Sequence, residues 1–264
     1  MELGNHGLMG LIDNSVTKKS HLFENSIWKY VVRAMFAGMY LTIGTAIAVV
    51  AAEKANHIHP DLGKFVYAML FSWALIMIIY MGAELGTSNM MYLTAGVSRK
   101  SIKPKRALQI LLVCIVGNLI GGIISGALVM RTGVFLDFNA SHYLAETVAI
   151  KLSKPAFQIL IEGIFANVIV NTAIVASARI KDDAGKIIAI QFIIAFFAFL
   201  GYEHVIANFS SFAMVFFGGG IAEMTVSSVL NNFFFATIGN YIGGGLIIGF
   251  TYAWMNKGEA LYFD

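Results

Sequence analysis

The amino-acid sequence predicts an all-α integral membrane protein: six transmembrane helices arranged as two inverted three-helix repeats, with the second and fifth helices broken. Three observations predict it. The 264 residues are 58% hydrophobic and 12% charged, with a mean hydropathy of +0.75, far too apolar for an ordinary soluble domain. Six stretches are long enough to cross hydrocarbon ~30 Å thick, which takes about 20 mostly apolar residues. Two motifs also recur in the same order. Gly82-Ala83-Glu84-Leu85-Gly86-Thr87-Ser88-Asn89 matches Gly201-Tyr202-Glu203-His204-Val205-Ile206-Ala207-Asn208 as G-x-E-x4-N, and Gly117-Asn118-x-x-Gly121-Gly122 matches Gly239-Asn240-x-x-Gly243-Gly244. The copies stand 119 and 122 residues apart, so the chain is two related halves. Strand-like alternation is missing, which argues against a β-barrel.

Residues 1–26 are mixed in polarity, lack a signal-peptide pattern, and are expected to form a cytoplasmic amino-terminal segment. A membrane channel domain follows over 27–255, with repeat one at about 27–131 and repeat two at about 155–255, and residues 256–264 form a cytoplasmic tail. The expected spans are 28–52, 62–97 interrupted at Gly82, 107–130, 156–178, 187–217 interrupted at Gly201, and 233–254. With the amino terminus inside, thirteen of the 18 lysines and arginines fall on the cytoplasmic side. The other five, Lys54, Lys64, Arg131, Lys151 and Lys154, fall outside. Both termini are therefore expected in the cytoplasm of a cell expressing the chain in its cytoplasmic membrane. The basic residues follow topology and carry no message about nucleic acid.

Three spans per half is an odd number, so the second half enters the membrane from the opposite side. Backbone freed at each break cannot go unpaired in lipid and must be buried in protein or line a wet cavity. Glycines at helical spacing on the third and sixth spans permit close packing against the broken ones. Asn118 and Asn240 stand where they can bind the loosened backbone. Lone Cys114 lies within the third span, leaving no intramolecular disulfide and reading as a packing residue.

Among six histidines, His204 alone lies within a span. An ionisable group at membrane depth usually faces the protein interior or a water-filled path, and imidazole changes charge near neutral pH. Glu84 and Glu203 occupy equivalent positions; each carboxylate either carries protons and repels anions or accepts hydrogen bonds from backbone N–H groups freed at its break, the second being preferred. Thr87, Ser88, Asn89 and Asn208 are candidate caps for the resumed half-helices, whose positive ends favour an anion. On the residues alone, Lys151 and Lys154 read as lysines snorkelling at a span end. Phe71, Leu75, Leu85 and Phe197 are candidate apolar constrictions, though packing would account for them equally.

These residues resemble the formate/nitrite transporter family. Gly82-Ala83-Glu84-Leu85-x-Thr87-Ser88 resembles its second-span signature, Ala166-Asn167 its fourth, Gly201-Tyr202-Glu203-His204-x-x-Ala207-Asn208 its fifth, and Gly239-Asn240-x-x-Gly243-Gly244-Gly245 its sixth. The resemblance implies an aquaporin-like six-helix subunit in a homopentamer, each subunit with its own pore for small monovalent anions of weak acids. It implies His204 as the central pore histidine, Thr87 on the mobile loop facing it, Asn167 as a partner near it, and Lys151 as a vestibule lysine, reversing the snorkelling reading. Asn208 joins this pathway set. Phe71 and Leu75 are implied on one side of the constrictions, with Leu85 and Phe197 on the other. The family often carries a bulky aromatic where this chain has Gly86. A smaller residue there predicts a wider path, open to acetate or lactate, unless the glycine serves the backbone or neighbouring side chains fill the gap.

The expected function is a channel or transporter, not an enzyme, passing formate first with a proton through the histidine pore; nitrite, hydrosulfide, lactate and acetate are the alternative substrates. Protons and the lipid bilayer are the remaining partners, with no metal and no cofactor. A bare carboxylate faces a large desolvation cost in the constrictions that its neutral acid does not, so Lys151 is expected to draw the anion into the vestibule and His204 or its water to supply or relay the proton. A neutral-solute channel is disfavoured because the paired Asn-Pro-Ala boxes of aquaporins are missing: Pro60, Pro104 and Pro155 lie in loops or at span ends. A membrane redox enzyme is disfavoured because one intramembrane histidine and one cysteine cannot hold bis-histidine haem or an iron–sulfur cluster.

Overall fold

The computed structural model describes residues 7–59 and 61–257, and among the described residues every regular element is helical. His6, Pro60 and the tail residues 258–264 lie outside the described residues. The elements are α1 (Leu8–Asn25), α2 (Ile27–Asn56), α3 (Leu62–Phe71), α4 (Trp73–Tyr80), α5 (Gly86–Ser98), α6 (Pro104–Val129), α7 (Tyr143–Leu152), α8 (Ala156–Arg179), α9 (Asp183–Leu200), α10 (Val205–Phe217), α11 (Val226–Asn240) and α12 (Thr251–Met255), with a π-helical stretch, Tyr241–Phe250, joining the last two. Six apolar stretches are long enough to cross a membrane: α2, α3 with α4, α6, α8, α9, and α11 through α12. The protein is a multi-pass membrane protein.

Two breaks organise the interior. Helix α4 stops at Tyr80 and α5 begins at Gly86, while α9 stops at Leu200 and α10 begins at Val205. Gly82 and Gly201 take φ of 61° and 70°, left-handed backbone that glycine enters without the Cβ penalty other residues meet. The chain then extends through Leu85 and His204 before each helix resumes. The stretch before each break, of 19 and 18 residues, is already about 27 Å long at a rise of ~1.5 Å per residue. Each 13-residue half-helix is therefore added to a full-length limb rather than completing a shorter one.

The freed backbone groups are paired by two asparagines. Asn118 Oδ1 accepts from the Gly86 N–H at 2.8 Å, and its Nδ2 donates to the carbonyls of Glu84 at 2.8 Å and Ala34 at 2.7 Å. Asn240 repeats this atom for atom: Oδ1 accepts from Val205 N–H at 2.9 Å, and Nδ2 donates to the carbonyls of Glu203 at 2.9 Å and Gly163 at 2.8 Å. Glycine lets the carrier helices come this close. A Cβ on Gly121 would run into the Met35 carbonyl of α2, and one on Gly243 into the Ile164 carbonyl of α8.

The expected caps are corrected here. A capping side chain must come from the extended residue before the helix, and those residues are Leu85 and His204. Thr87, Ser88, Asn89 and Asn208 lie inside α5 and α10, so their side chains turn elsewhere; Ser88 Oγ donates back to the Leu85 carbonyl at 2.9 Å. Only His204 caps, its Nδ1 accepting from Ala207 N–H at 3.1 Å.

At Gly86 the packing favours the alternative in which neighbouring side chains fill the gap over the wider path. A Cβ on it would meet Ile115 Cγ1 at 3.0 Å, Asn118 Oδ1 at 3.1 Å and Ile206 Cδ1 at 3.3 Å. The position faces packed side chains instead of a lumen, and the space an aromatic would need is already filled. The amino-terminal segment is likewise more than a polar tail. Leu8, Ile12, Val16 and Phe23 of α1 are buried against the bundle, and Asp13 pairs with Arg99 at 2.6 Å.

Two predictions follow from this packing. Asn118→Ala leaves the Gly86 amide and the Glu84 and Ala34 carbonyls without their partner, at about 1–3 kcal/mol for each buried group. The melting temperature of the detergent-solubilised protein should fall well below that of a control at a side chain exposed on the subunit surface, such as Leu112→Ala, and equal melting would remove Asn118 as the prop of the break. Gly86→Phe should cost folded protein, and any surviving flux of small and larger acids should fall together. A selective loss of lactate with formate spared would restore the aperture reading of this position.

Candidate anion pathway

A cavity of about 410 Å³ opens on the face carrying α7 and runs down to His204. Beyond it lies a void of about 20 Å³ lined by Leu75, Ile78 and Leu85. Phe71, Phe197 and His204 line both spaces, so they form the partition. The ring centroids of Phe71 and Phe197 stand 6.1 Å apart, and those of Phe197 and His204 5.8 Å. Phe71 is set at the end of α3, where the helix is interrupted at Ser72 and the Met69 carbonyl takes the Gln191 amide of α9.

His204 joins the two breaks. Its Nε2 lies 2.8 Å from Thr87 Oγ1, and the ring is 3% exposed. Because Nδ1 accepts from the Ala207 amide, it holds no proton, and the neutral ring carries its hydrogen on Nε2. That hydrogen points at Thr87 Oγ1, which leaves the threonine's own O–H free to donate. An imidazolium would set a second N–H against the Ala207 N–H, so protonation must first undo the helix cap.

Asn167 sits one step further out than expected. Its Nδ2 donates to the Thr87 carbonyl at 3.1 Å and the Asn240 carbonyl at 2.7 Å, steadying the threonine rather than touching the imidazole. Asn171, not singled out from the sequence, braces Asn167 by donating to its Oδ1 at 2.9 Å.

Both glutamates are ion-paired. Glu203 Oε1 accepts from Lys154 at 2.7 Å and Lys151 at 3.1 Å, and Oε2 from Asn208 at 2.7 Å and Asn232 at 3.1 Å. Glu84 Oε2 accepts from Lys19 at 2.7 Å, Asn89 at 3.1 Å and the Tyr30 hydroxyl at 3.3 Å. This corrects the expectation of backbone donors: the asparagines have taken the freed amides, and a buried carboxylate needs a counter-charge as well as hydrogen bonds. Cys114 donates to the Glu84 carbonyl at 3.3 Å inside the same cluster.

Lys151 and Lys154 belong to one network, not to separate span ends. Lys154 also reaches Glu162 at 2.5 Å and the Gly201 carbonyl at 3.0 Å, whereas among the described residues Lys151 adds the Tyr202 carbonyl alone, at 3.3 Å. Burial pulls the Lys151 ammonium below the ordinary lysine range, against the pull of Glu203. Burial acts on Lys154 too, but Glu203 and Glu162 outweigh it and hold that ammonium above the ordinary range.

Lys19, Tyr30, Asn232 and Glu162 were missed in the sequence. For Lys19 a signal existed: apolar residues at 8, 12, 16 and 23 mark a helix face, and Lys19 precedes the first span as Lys151 precedes the fourth.

The formate/nitrite transporter family model matches residues 8–254. The nitrite transporter NirC of Escherichia coli (strain K12) is 30% identical over 236 residues, covering 88% of this chain and 85% of that protein. Among solved structures, an FNT family ion channel aligns with a TM-score of 0.88 at 26% identity, covering 93% of this chain and 97% of that one. A pentameric formate channel with formate bound aligns at 0.75 and 25% identity, covering 86% and 96%. With matching signatures at both breaks, the same fold and a family match over nearly its whole length, the chain belongs to the formate/nitrite transporter family.

Proposed function

We propose that the protein carries small monovalent weak-acid anions, formate or nitrite first, together with a proton across the cytoplasmic membrane. The observation that carries the reading is the contact of His204 with Thr87 at the partition between a lysine-lined cavity and a small apolar void. The anion enters near Lys151, which has fewer protein acceptors than Lys154. As it leaves water, desolvation disfavours its charged form, and it takes a proton from vestibule water. The neutral acid then passes Phe71 and Phe197, hydrogen-bonded in turn by the Thr87 hydroxyl and the His204 Nε2–H. It gives the proton up on the far side, where Lys19 and Glu84 repeat the outer cluster. In this scheme His204 departs from the expected relay: it stays neutral and serves as a donor, because acting as an acid would cost its cap on α10.

The arrangement is proposed to have the amino terminus and α1 on the cytoplasmic face, following the distribution of lysine and arginine. A homopentamer is proposed on the likeness to the pentameric formate channel.

Proteoliposome uptake of formate, nitrite, hydrosulfide, lactate and acetate across a range of pH tests the reading. Uptake should rise as the outside is acidified, and failure of every anion to cross would refute it. His204→Asn should remove most acid-driven uptake while the oligomer persists, and Thr87→Val should fall in the same direction. Wild-type uptake in a folded His204→Asn would deny the histidine its role. Lys151→Ala should slow uptake more at low substrate concentration than at saturation, since a mouth charge acts by concentrating the anion. A uniform loss at all concentrations would place the lysine in the scaffold instead.

A further inference from the structure

An ammonium has three hydrogens to donate, and of the three lysines lining the cavity the two that reach Glu203 spend them differently. All three of Lys154 meet protein acceptors: Glu162 Oε2 at 2.5 Å, Glu203 Oε1 at 2.7 Å and the Gly201 carbonyl at 3.0 Å. Lys151 meets two among the described residues, Glu203 Oε1 at 3.1 Å and the Tyr202 carbonyl at 3.3 Å. Glu162, one turn and a half into α8 from the helix start, is itself fixed from below by Gln158 Nε2, which donates to its other oxygen at 2.7 Å. Glu162, Lys154 and Lys151 all line the cavity.

We infer that Glu162 is an affinity-setting residue: by occupying Lys154 it leaves Lys151 as the one of the two partly buried cavity lysines with a hydrogen for the entering anion, Lys64 standing exposed over the Phe199 ring at the rim. The carboxylate of Glu162 and the carboxylate of the substrate are the same chemical group competing for the same ammonium. Charge-assisted hydrogen bonds of this kind are short and strong, and a resident carboxylate held on both sides by Gln158 and Lys154 has little ordering left to lose. The resident therefore wins at low substrate concentration. The cavity then behaves as a weak, quickly exchanging anion site, suited to a pore that must release what it attracts. The inference rests on the proposed function and adds to it the residue that sets half-saturation.

The test compares uptake kinetics for formate in proteoliposomes of the full-length protein. Glu162→Gln should lower the half-saturation concentration by about threefold or more, a modest effect because charges at a wet mouth are screened by salt. The maximal rate should change little. Glu162→Asp keeps the charge but shortens the reach, so it should lower half-saturation in the same direction by a smaller factor, and it guards against a Gln variant that fails to fold. In Glu162→Gln with Lys154→Ala, half-saturation should equal that of Lys154→Ala alone. Unchanged half-saturation in both Glu162 variants overturns the inference. A decrease that persists without Lys154 also overturns it, since the effect is then a general field and not release of that lysine. A wild type that carries none of the test anions overturns the proposed function and this inference together, whereas a transporting wild type with unaltered Glu162 variants overturns the inference alone.

Discussion

Hydrocarbon offers no partner to a backbone amide or carbonyl, and that constraint governs the interior of this protein. Breaking a helix inside the membrane exposes several such groups at once. Asn118 and Asn240 each take one amide and two carbonyls with a single side chain, using both ends of the carboxamide. To do so they must stand within hydrogen-bond reach of the break, which requires their helices to approach a neighbour at backbone contact. The glycines supply that approach. The breaks in turn place Thr87 opposite His204, so the site rests on the glycine pairs through the asparagines.

A second constraint is electrostatic. Glu84 and Glu203 are almost wholly buried, and an unpaired buried carboxylate would cost several kcal/mol by the usual estimate (~3–5 for breaking such a pair). Each is met by lysine and by amide donors from neighbouring helices. The two clusters have the same design but different strength: one lysine serves Glu84, while two serve Glu203 and one of these is shared with Glu162. The Glu203 end therefore holds more charge than the Glu84 end while keeping it largely neutralised.

The fold was legible because its causes are local and periodic. Long apolar runs disclose the spans, and the repeated G-x-E-x4-N motif marks the breaks, since glycine is needed where φ turns positive. His204 was legible as the only histidine within a span. What stayed hidden depends on contacts distant in sequence. Nothing near Glu84 indicates that its counter-ion is Lys19, 65 residues away, and nothing near Lys154 distinguishes snorkelling from an ion pair with Glu203. The caps were misassigned because composition names good capping residues without saying which one stands before the first turn. The role of Gly86 stayed open because a small residue is equally compatible with space, with a backbone need and with filling by neighbours, and the neighbours concerned, Ile115 and Ile206, are distant in sequence.

The two clusters also constrain how the chain can be assembled. Lys19 rides on α1, before the first span, and Lys151 on α7, before the fourth; neither lysine belongs to the span that carries its glutamate. Each counter-ion is thus delivered sideways from the water, by an amphipathic helix that can dock only once the broken helix it serves is in the bilayer. During synthesis α1 leaves the ribosome before Glu84 exists, so it must wait at the interface until the second span has been inserted. The ion pair of each half can close only after its broken helix has been inserted, and until it closes the glutamate stands at membrane depth without its lysine.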